Sequence, residues 1–270
     1  VEKWLERNEA ENNLMLGLLF MWRELELRGQ PIPPAFMATV ESSDGRPEIL
    51  VLLNPVNLIL AQTEEIHDDN AVHTLVSFMH SSGKLVPGVV GPVGITRAFA
   101  LAWAQRQNNT AYVKMNQRIY RLDQVNQIAT APGKLVMAGP EHKNLVADWI
   151  YSFMTSIDEP SSREDAQKKA NENIESRSLY LWQHKEYVSM AKKSRPTRNG
   201  VVISLVYTPP VFRNRGYASS CVASLSQLLL DQGYRFCSLY TDLANPTSNR
   251  IYSDIGYRPV QDSILYRFKD

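Results

Sequence analysis

Arg213, Arg215 and Gly216 stand in a turn between two apolar stretches, within Val206-Tyr207-Thr208-Pro209-Pro210-Val211-Phe212-Arg213-Asn214-Arg215-Gly216-Tyr217-Ala218. Residues of these types at this spacing can hold an anion. The first amides of a helix have no intrahelical acceptor and lie at the positive end of its dipole, so a helix opening near Gly216 offers them to a diphosphate. Gly216 lets the backbone approach closely, and the two arginines add fixed positive charge at the mouth. A second group follows at Asn245, Asn249 and Tyr252. Asn245 is a good N-cap and Pro246 suits a first helical position, which predicts a short helix carrying Asn249 and Tyr252 on one face until Gly256 ends it.

The elements that must position these groups follow from the pattern around them. Val201-Val202-Ile203-Ser204-Leu205-Val206 is an almost uninterrupted β-branched and apolar run, as a buried strand requires. Ala218, Cys221, Val222, Leu225, Leu228 and Leu229 recur at helical spacing, and Gly233 closes that helix. Gly200, at the turn into the strand, is expected to supply a positive φ. Pro209 and Pro210 cannot donate to a neighbouring strand, so the sheet is expected to part there.

Arg213, Gly216 and Ala218 fit Arg/Gln-x-x-Gly-x-Gly/Ala, which resembles the acetyl-CoA-binding motif of the GNAT N-acetyltransferase superfamily. Asn245, Asn249, Tyr252, Gly256 and Tyr257 resemble the second landmark of that superfamily, Asn-x-x-x-Asn-x-x-Tyr-x-x-x-Gly-[Phe/Tyr]. The resemblance runs from about Gly133 to the end, and phrases such as Ser-Leu-Val-Tyr-Thr-Pro-Pro are similar to those of two-part bacterial acetyltransferases with a GNAT domain at the carboxyl end. It implies an α/β architecture with a mixed sheet, the GNAT acyl-CoA N-acyltransferase fold, and acetyl-CoA as cofactor. The diphosphate would meet the amides around Asn214, Arg215, Gly216, Tyr217, Ala218 and Ser219 beside Arg213, and the pantetheine arm would lie along Val206, Tyr207 and Thr208. Asn245 and Asn249 would orient the arm, Tyr252 would face the sulfur as acid, and a backbone amide near Tyr207 or Thr208 would receive the oxyanion. Many family members carry a glutamate on the strand before the cradle, where this chain has Ile203, Ser204 and Leu205. Asp242 is then the first candidate base, with turn formation as its competing role; Glu186 or a carboxylate of the amino-terminal half are the alternatives.

The whole chain bounds the reading. Its 270 residues, 44% hydrophobic and 21% charged, can form one large or two ordinary domains, and a formal charge of +1 leaves no footprint for nucleic acid or a membrane surface. The longest apolar run, 14–22, is too short to span a bilayer, no leader is read, and the cytoplasm is the expected location. Cys221 and Cys237 read as reduced core residues rather than a disulfide or metal pair. His67, His73, His80, His142 and His184 make no ligand pattern, so no metal is expected. No Walker lysine and no Gly-x-Ser-x-Gly setting is present, which disfavours nucleotidase and serine hydrolase chemistry.

Residues 1–125 are expected to form an amino-terminal α/β domain, either a degenerate GNAT-like copy or an unrelated fold, and 133–270 the GNAT domain, with 123–133 as linker. In the first half, a helix after Asn12 and Asn13, strands at 36–40, 49–53 and 58–61, a helix through Val72 and Met79, an apolar stretch at 87–93, a helix from Ile95 to Arg106 and extended stretches at 110–114 and 117–122 follow in order. The turn Gly91-Pro92-Val93-Gly94-Ile95-Thr96 is placed where a cradle would be, lacking the arginine and one amide. The function expected is acetyl transfer to a primary amine of a small molecule or peptide; a silent acyl-CoA sensor and transfer to an alcohol or of a longer acyl group are the rivals. A homodimer is left open.

Overall fold

The computed structural model describes residues 1–62, 70–159 and 161–269; His67 and Pro160 fall outside them. The chain forms two compact units, the first of Val1–Tyr120, Tyr240–Asn249 and Pro259–Asp270, the second of Arg121–Leu239 and Arg250–Arg258. In chain order, the elements up to the first boundary are α1 Glu2–Leu5, α2 Asn13–Leu27, β1 Phe36–Glu41, β2 Pro47–Leu53, β3 Leu58–Gln62, α3 Asn70–Ser81, β4 Gly88–Pro92, α4 Val93–Gln107 and β5 Thr110–Leu122. There follow β6 Lys134–Met137, α5 Lys143–Ser156, α6 Arg163–Glu175, β7 Leu179–His184, β8 Glu186–Ser194, β9 Gly200–Tyr207 and α7 Tyr217–Asp231. The last elements are β10 Phe236–Asp242, α8 Pro246–Ile255 and β11 Arg258–Lys269. No helix among the described residues is long and apolar enough to cross a membrane.

In the first unit the strands run in the order β1-β2-β3-β4-β11-β5. The first three pair antiparallel and β4 joins β3 in parallel. Side chains alternate faces along each strand, and here both faces are covered. Ile49, Val51, Leu58, Leu60 and Val89 pack with Val72, Leu75 and Met79 of α3 and Phe99 and Trp103 of α4. Leu50, Leu52, Ile59, Ala61 and Val90 pack with Leu5 of α1 and Met15, Leu16 and Trp22 of α2. Burial on both sides is why β2 reads as a continuous apolar run. The two extended stretches expected at 110–114 and 117–122 are one strand, β5, since Met115 and Asn116 between them include no breaker.

The second unit has the order β10-β9-β8-β7-β6. β6 to β9 pair antiparallel and β10 joins β9 in parallel. Ala166, Ala170 and Ile174 of the charged helix α6 face a core with Val146, Trp149 and Ile150 of α5 and Leu179, Leu181, Met190 and Tyr207 of the sheet. In chain order, antiparallel β1-β2-β3 is followed by α3, the parallel β4 and α4, and antiparallel β7-β8-β9 by α7, the parallel β10 and α8. By element order alone, the β9-to-α7 turn matches the segment between β3 and α3, which lies outside the described residues, and the turn at Gly91 matches the one between β10 and α8. It is closed: a Cβ on Gly91 would stand 2.5 Å from the Leu60 carbonyl, and the enclosed cavity beside it, bordered by Leu14 and Met15, holds about 20 Å³, room for about one water.

Two expectations about β9 are corrected. Gly200 has no positive φ; its lack of a side chain is needed because a Cβ there would overlap the Phe236 ring. The β9–β10 pairing ends at Val202 and Ser238, well before Pro209 and Pro210. A β-bulge causes the early parting: the β8–β9 register shifts between Met190 and Lys192, and Leu205 sits at φ +51°. Replacing Gly200 with alanine should destabilise the fold by about 1–3 kcal/mol through overpacking, read as a lower urea midpoint. Unchanged stability within about 0.5 kcal/mol would show that Phe236 can move aside.

Candidate active site

Downstream of β9, Pro210 to Phe212 make one 3-10 turn, Asn214 takes φ +61° and Gly216 φ +76°, and α7 begins at Tyr217. Space does not dictate glycine at 216, where a Cβ would meet only the Ala131 Cβ at an ordinary 3.6 Å. Its left-handed φ does, since other residues visit that region at a cost. As N-cap, Gly216 offers no side chain to the first turn, and the first intrahelical bond runs from the Ser220 amide to the Gly216 carbonyl at 3.0 Å. Among the described residues, nothing in the protein accepts from the amides of Gly216, Tyr217, Ala218 and Ser219.

The end of β9 is held from two sides. The buried Ser189 hydroxyl lies 3.2 Å from the Tyr207 carbonyl and 2.9 Å from the Thr208 hydroxyl, and Arg213 Nε donates to the Thr208 carbonyl at 3.0 Å. A trans peptide points its C=O and N–H in opposite directions. With the Tyr207 carbonyl turned toward Ser189 on β8, the Thr208 amide of the same peptide points away from β8, to the side on which β9 has lost its partner strand. Of the two backbone donors named from the sequence, this geometry favours Thr208.

Tyr252 is 8% exposed and packs edge-on against Tyr257, ring centroids 6.0 Å apart. Its hydroxyl makes no hydrogen bond among the described residues. Burial pushes its pKa up to about 12, so the phenol is neutral throughout the physiological range. Cys221 and Cys237 are free and buried, and burial pushes both thiols up to about 12, which makes them inert core residues.

Other expected site residues have roles of their own. Asn245 caps α8, its Oδ1 accepting from the Ser248 amide at 3.0 Å. The Asn249 amide donates to the carbonyls of Asp242 and Asn245 and accepts from the Tyr120 hydroxyl at 3.0 Å, so its side chain ties the helix to its surroundings. Asp242 closes the turn after β10 with one carboxylate oxygen on the Ala244 amide at 2.8 Å. Arg213, Asn214 and Arg215 are exposed, Val206 and Thr208 half-buried, and Tyr207 buried against Trp149. Two contributors give no local signal in the sequence. Ser189 is one serine in an apolar strand, and the stretch read as a linker is strapped to the second unit. The Ala131 amide donates to Ser220 Oγ at 2.8 Å, Trp182 Nε1 to the Pro132 carbonyl at 3.2 Å, and the Asn126 amide to Ile255 at 2.8 Å.

Comparison with known proteins bears on the fold. Residues 183–265 match the family described as FR47-like protein. A Drosophila protein of known structure aligns with a TM-score of 0.68 at 12% identity, over 95% of this chain and 89% of that one. A GCN5-related N-acetyltransferase from Sphaerobacter thermophilus aligns at 0.63 and 15% identity, over 91% and 83%. A tandem GNAT protein from the clavulanic acid biosynthesis pathway aligns at 0.52 and 12% identity, over 88% and 84%. No curated protein matches the chain. The fold is the mixed α/β fold of GNAT N-acetyltransferases, and the superfamily resemblance read from the motifs is borne out.

The raised phenol pKa has a sign that can be checked. Tyr252 ionises near about 10 when unfolded and about 12 when folded, so its contribution to stability is complete below pH 10 and is lost as the pH rises toward 12. Tyr252→Phe should flatten the alkaline fall in urea stability by about tenfold in folding equilibrium per pH unit above 10. An equally steep fall in the variant would mean that Tyr252 ionises freely in the folded protein.

Proposed function

We propose that this protein binds acetyl-CoA on its second unit and transfers the acetyl group to a primary amine of a small molecule or peptide. The observation that carries this is the set of amides from Gly216 to Ser219 behind a left-handed glycine, unclaimed among the described residues, with Arg215 exposed beside them and without an ionic partner among those residues. These groups fit a diphosphate in number, direction and charge. The cofactor would supply an acetyl thioester, whose carbonyl carbon an amine can attack.

The chain's own groups then have distinct tasks. The Thr208 amide, fixed by Ser189 and Arg213, donates to the carbonyl oxygen as it gains charge. Tyr252 keeps its proton and gives a hydrogen bond to the departing sulfur. A phenol near 12 cannot hand its proton over fully to a thiolate whose thiol has a pKa near ~8.5, so its role is to stabilise by hydrogen bonding rather than complete transfer. We further read the first unit as a divergent copy of the second, supported by the shared order of elements and the similarity to a tandem GNAT protein.

The silent-sensor reading keeps one specific support: β9 carries Ile203, Ser204 and Leu205 where a carboxylate would take the amine proton, and Asp242 is engaged in its turn. Calorimetry with acetyl-CoA and thiol release over a panel of amines, amino acids and peptides separate the two. Wild type should bind, and Gly216→Ala or the Arg213→Ala/Arg215→Ala pair should weaken binding by about tenfold or more. Tyr252→Phe should bind nearly as well and release thiol about 10² to 10³ times more slowly. Binding with no turnover on any acceptor would establish the sensor, and no heat with wild type would remove the cofactor reading itself.

A further inference from the structure

Beside the start of α7 lies an open groove of about 390 Å³ lined by Gly133, Lys134, Gln183, His184 and Lys185. Lys134 opens β6 and pairs in register with Gln183 of β7, and Lys185 forms the β7–β8 turn at φ +61°, so the two lysines flank one end of the sheet. Every side chain lining the groove can donate a hydrogen bond and none is a carboxylate. Lys134 and Lys185 are exposed and have no acidic partner among the described residues; the nearest acid in sequence is Glu186, also exposed, on the following strand.

The groove adjoins the unclaimed amides. The His184 and Tyr217 rings are 5.9 Å apart, and Tyr217 is the first residue of α7. Ala131 touches the position of a Gly216 Cβ, its amide is bonded to Ser220, and only Pro132 separates it from Gly133 in the groove. Two residues of extended chain cover about 7 Å at most. That is the reach of a single ribose from its 5′ oxygen to a phosphate on its 3′ oxygen.

We propose that this groove takes the phosphomonoester on the ribose of coenzyme A, so that the protein discriminates coenzyme A from its 3′-dephospho form. The inference rests on the cofactor reading above and adds the subsite that the cradle motif does not contain. A phosphomonoester carries about −1.5 to −2 charges at neutral pH and three acceptor oxygens, matched by two ammonium groups, a carboxamide and an imidazole.

Titration calorimetry with coenzyme A and with 3′-dephospho-coenzyme A tests it on wild type and on Lys134→Ala/Lys185→Ala. Both substitutions are at exposed positions and keep a Cβ, so the backbone strain at residue 185 is unchanged. Wild type should bind coenzyme A about tenfold more tightly than the dephospho form, and the double variant should bring the ratio to about one by losing coenzyme A affinity alone. Equal affinity of wild type for the two ligands, or a ratio that survives the double substitution, would overturn the groove assignment while the cofactor reading stands. Absence of binding by either ligand to wild type would overturn both.

Discussion

The left-handed turn at Gly216 is the constraint on which the site depends. Two helices of the chain close their first turns with side chains: Ser162 Oγ accepts from the Asp165 amide in α6, and Asn245 Oδ1 from the Ser248 amide in α8. Such a cap contributes about 1 kcal/mol. At α7 the capping position holds the one residue with no group to give, and the amides stay open. Local stability is forgone where four amides at the positive end of a helix stay open, an arrangement that favours an anion outside the protein over any internal partner.

The turn is useful only if the strand before it ends in a fixed orientation, and that is the work of Ser189 and Arg213. From its spacing, Arg213 reads as a charge at the mouth. In the structure its Nε joins the turn back to Thr208, so the same side chain that adds charge also shapes the segment that a ligand would meet. Three of the seven non-glycine residues with positive φ among those described belong to this region, Leu205 in the bulge, Asn214 in the turn and Lys185 at the hairpin tip. Such conformations each cost of order 1–3 kcal/mol, and the surrounding fold must hold them in place.

Much of this was legible in the sequence, where local periodicity or a special residue carries the information. Helices α2, α3, α4 and α7 lie close to where apolar spacing predicts them, because each buries one face and little else competes. The turn at 213–216 and the cap at Asn245 were visible for the same reason. What stayed hidden is non-local. Nothing in Arg258–Lys269 announces that β11 pairs with β4 or that Asp262 forms a bidentate pair with Arg118, with bonds of 2.6 and 2.8 Å, 144 residues away in sequence. Gly200 was assigned the wrong role because turn chemistry was read from its neighbours, whereas the reason for it, the Phe236 ring, belongs to another strand.

Within the proposed chemistry the chain is rich in donors and poor in acceptors. The Thr208 amide and the Tyr252 hydroxyl can both stabilise negative charge as it develops, and burial keeps the phenol protonated for that task. No carboxylate on β9 stands ready to accept the proton that an attacking amine must lose. A lysine-like amine, with a pKa near ~10.4, arrives almost wholly as ammonium at neutral pH, whereas an α-amino group near ~7.7–8.0 arrives partly neutral and needs much less help. Under the proposed chemistry, a site with this balance of groups would discriminate among amines by their basicity before shape enters.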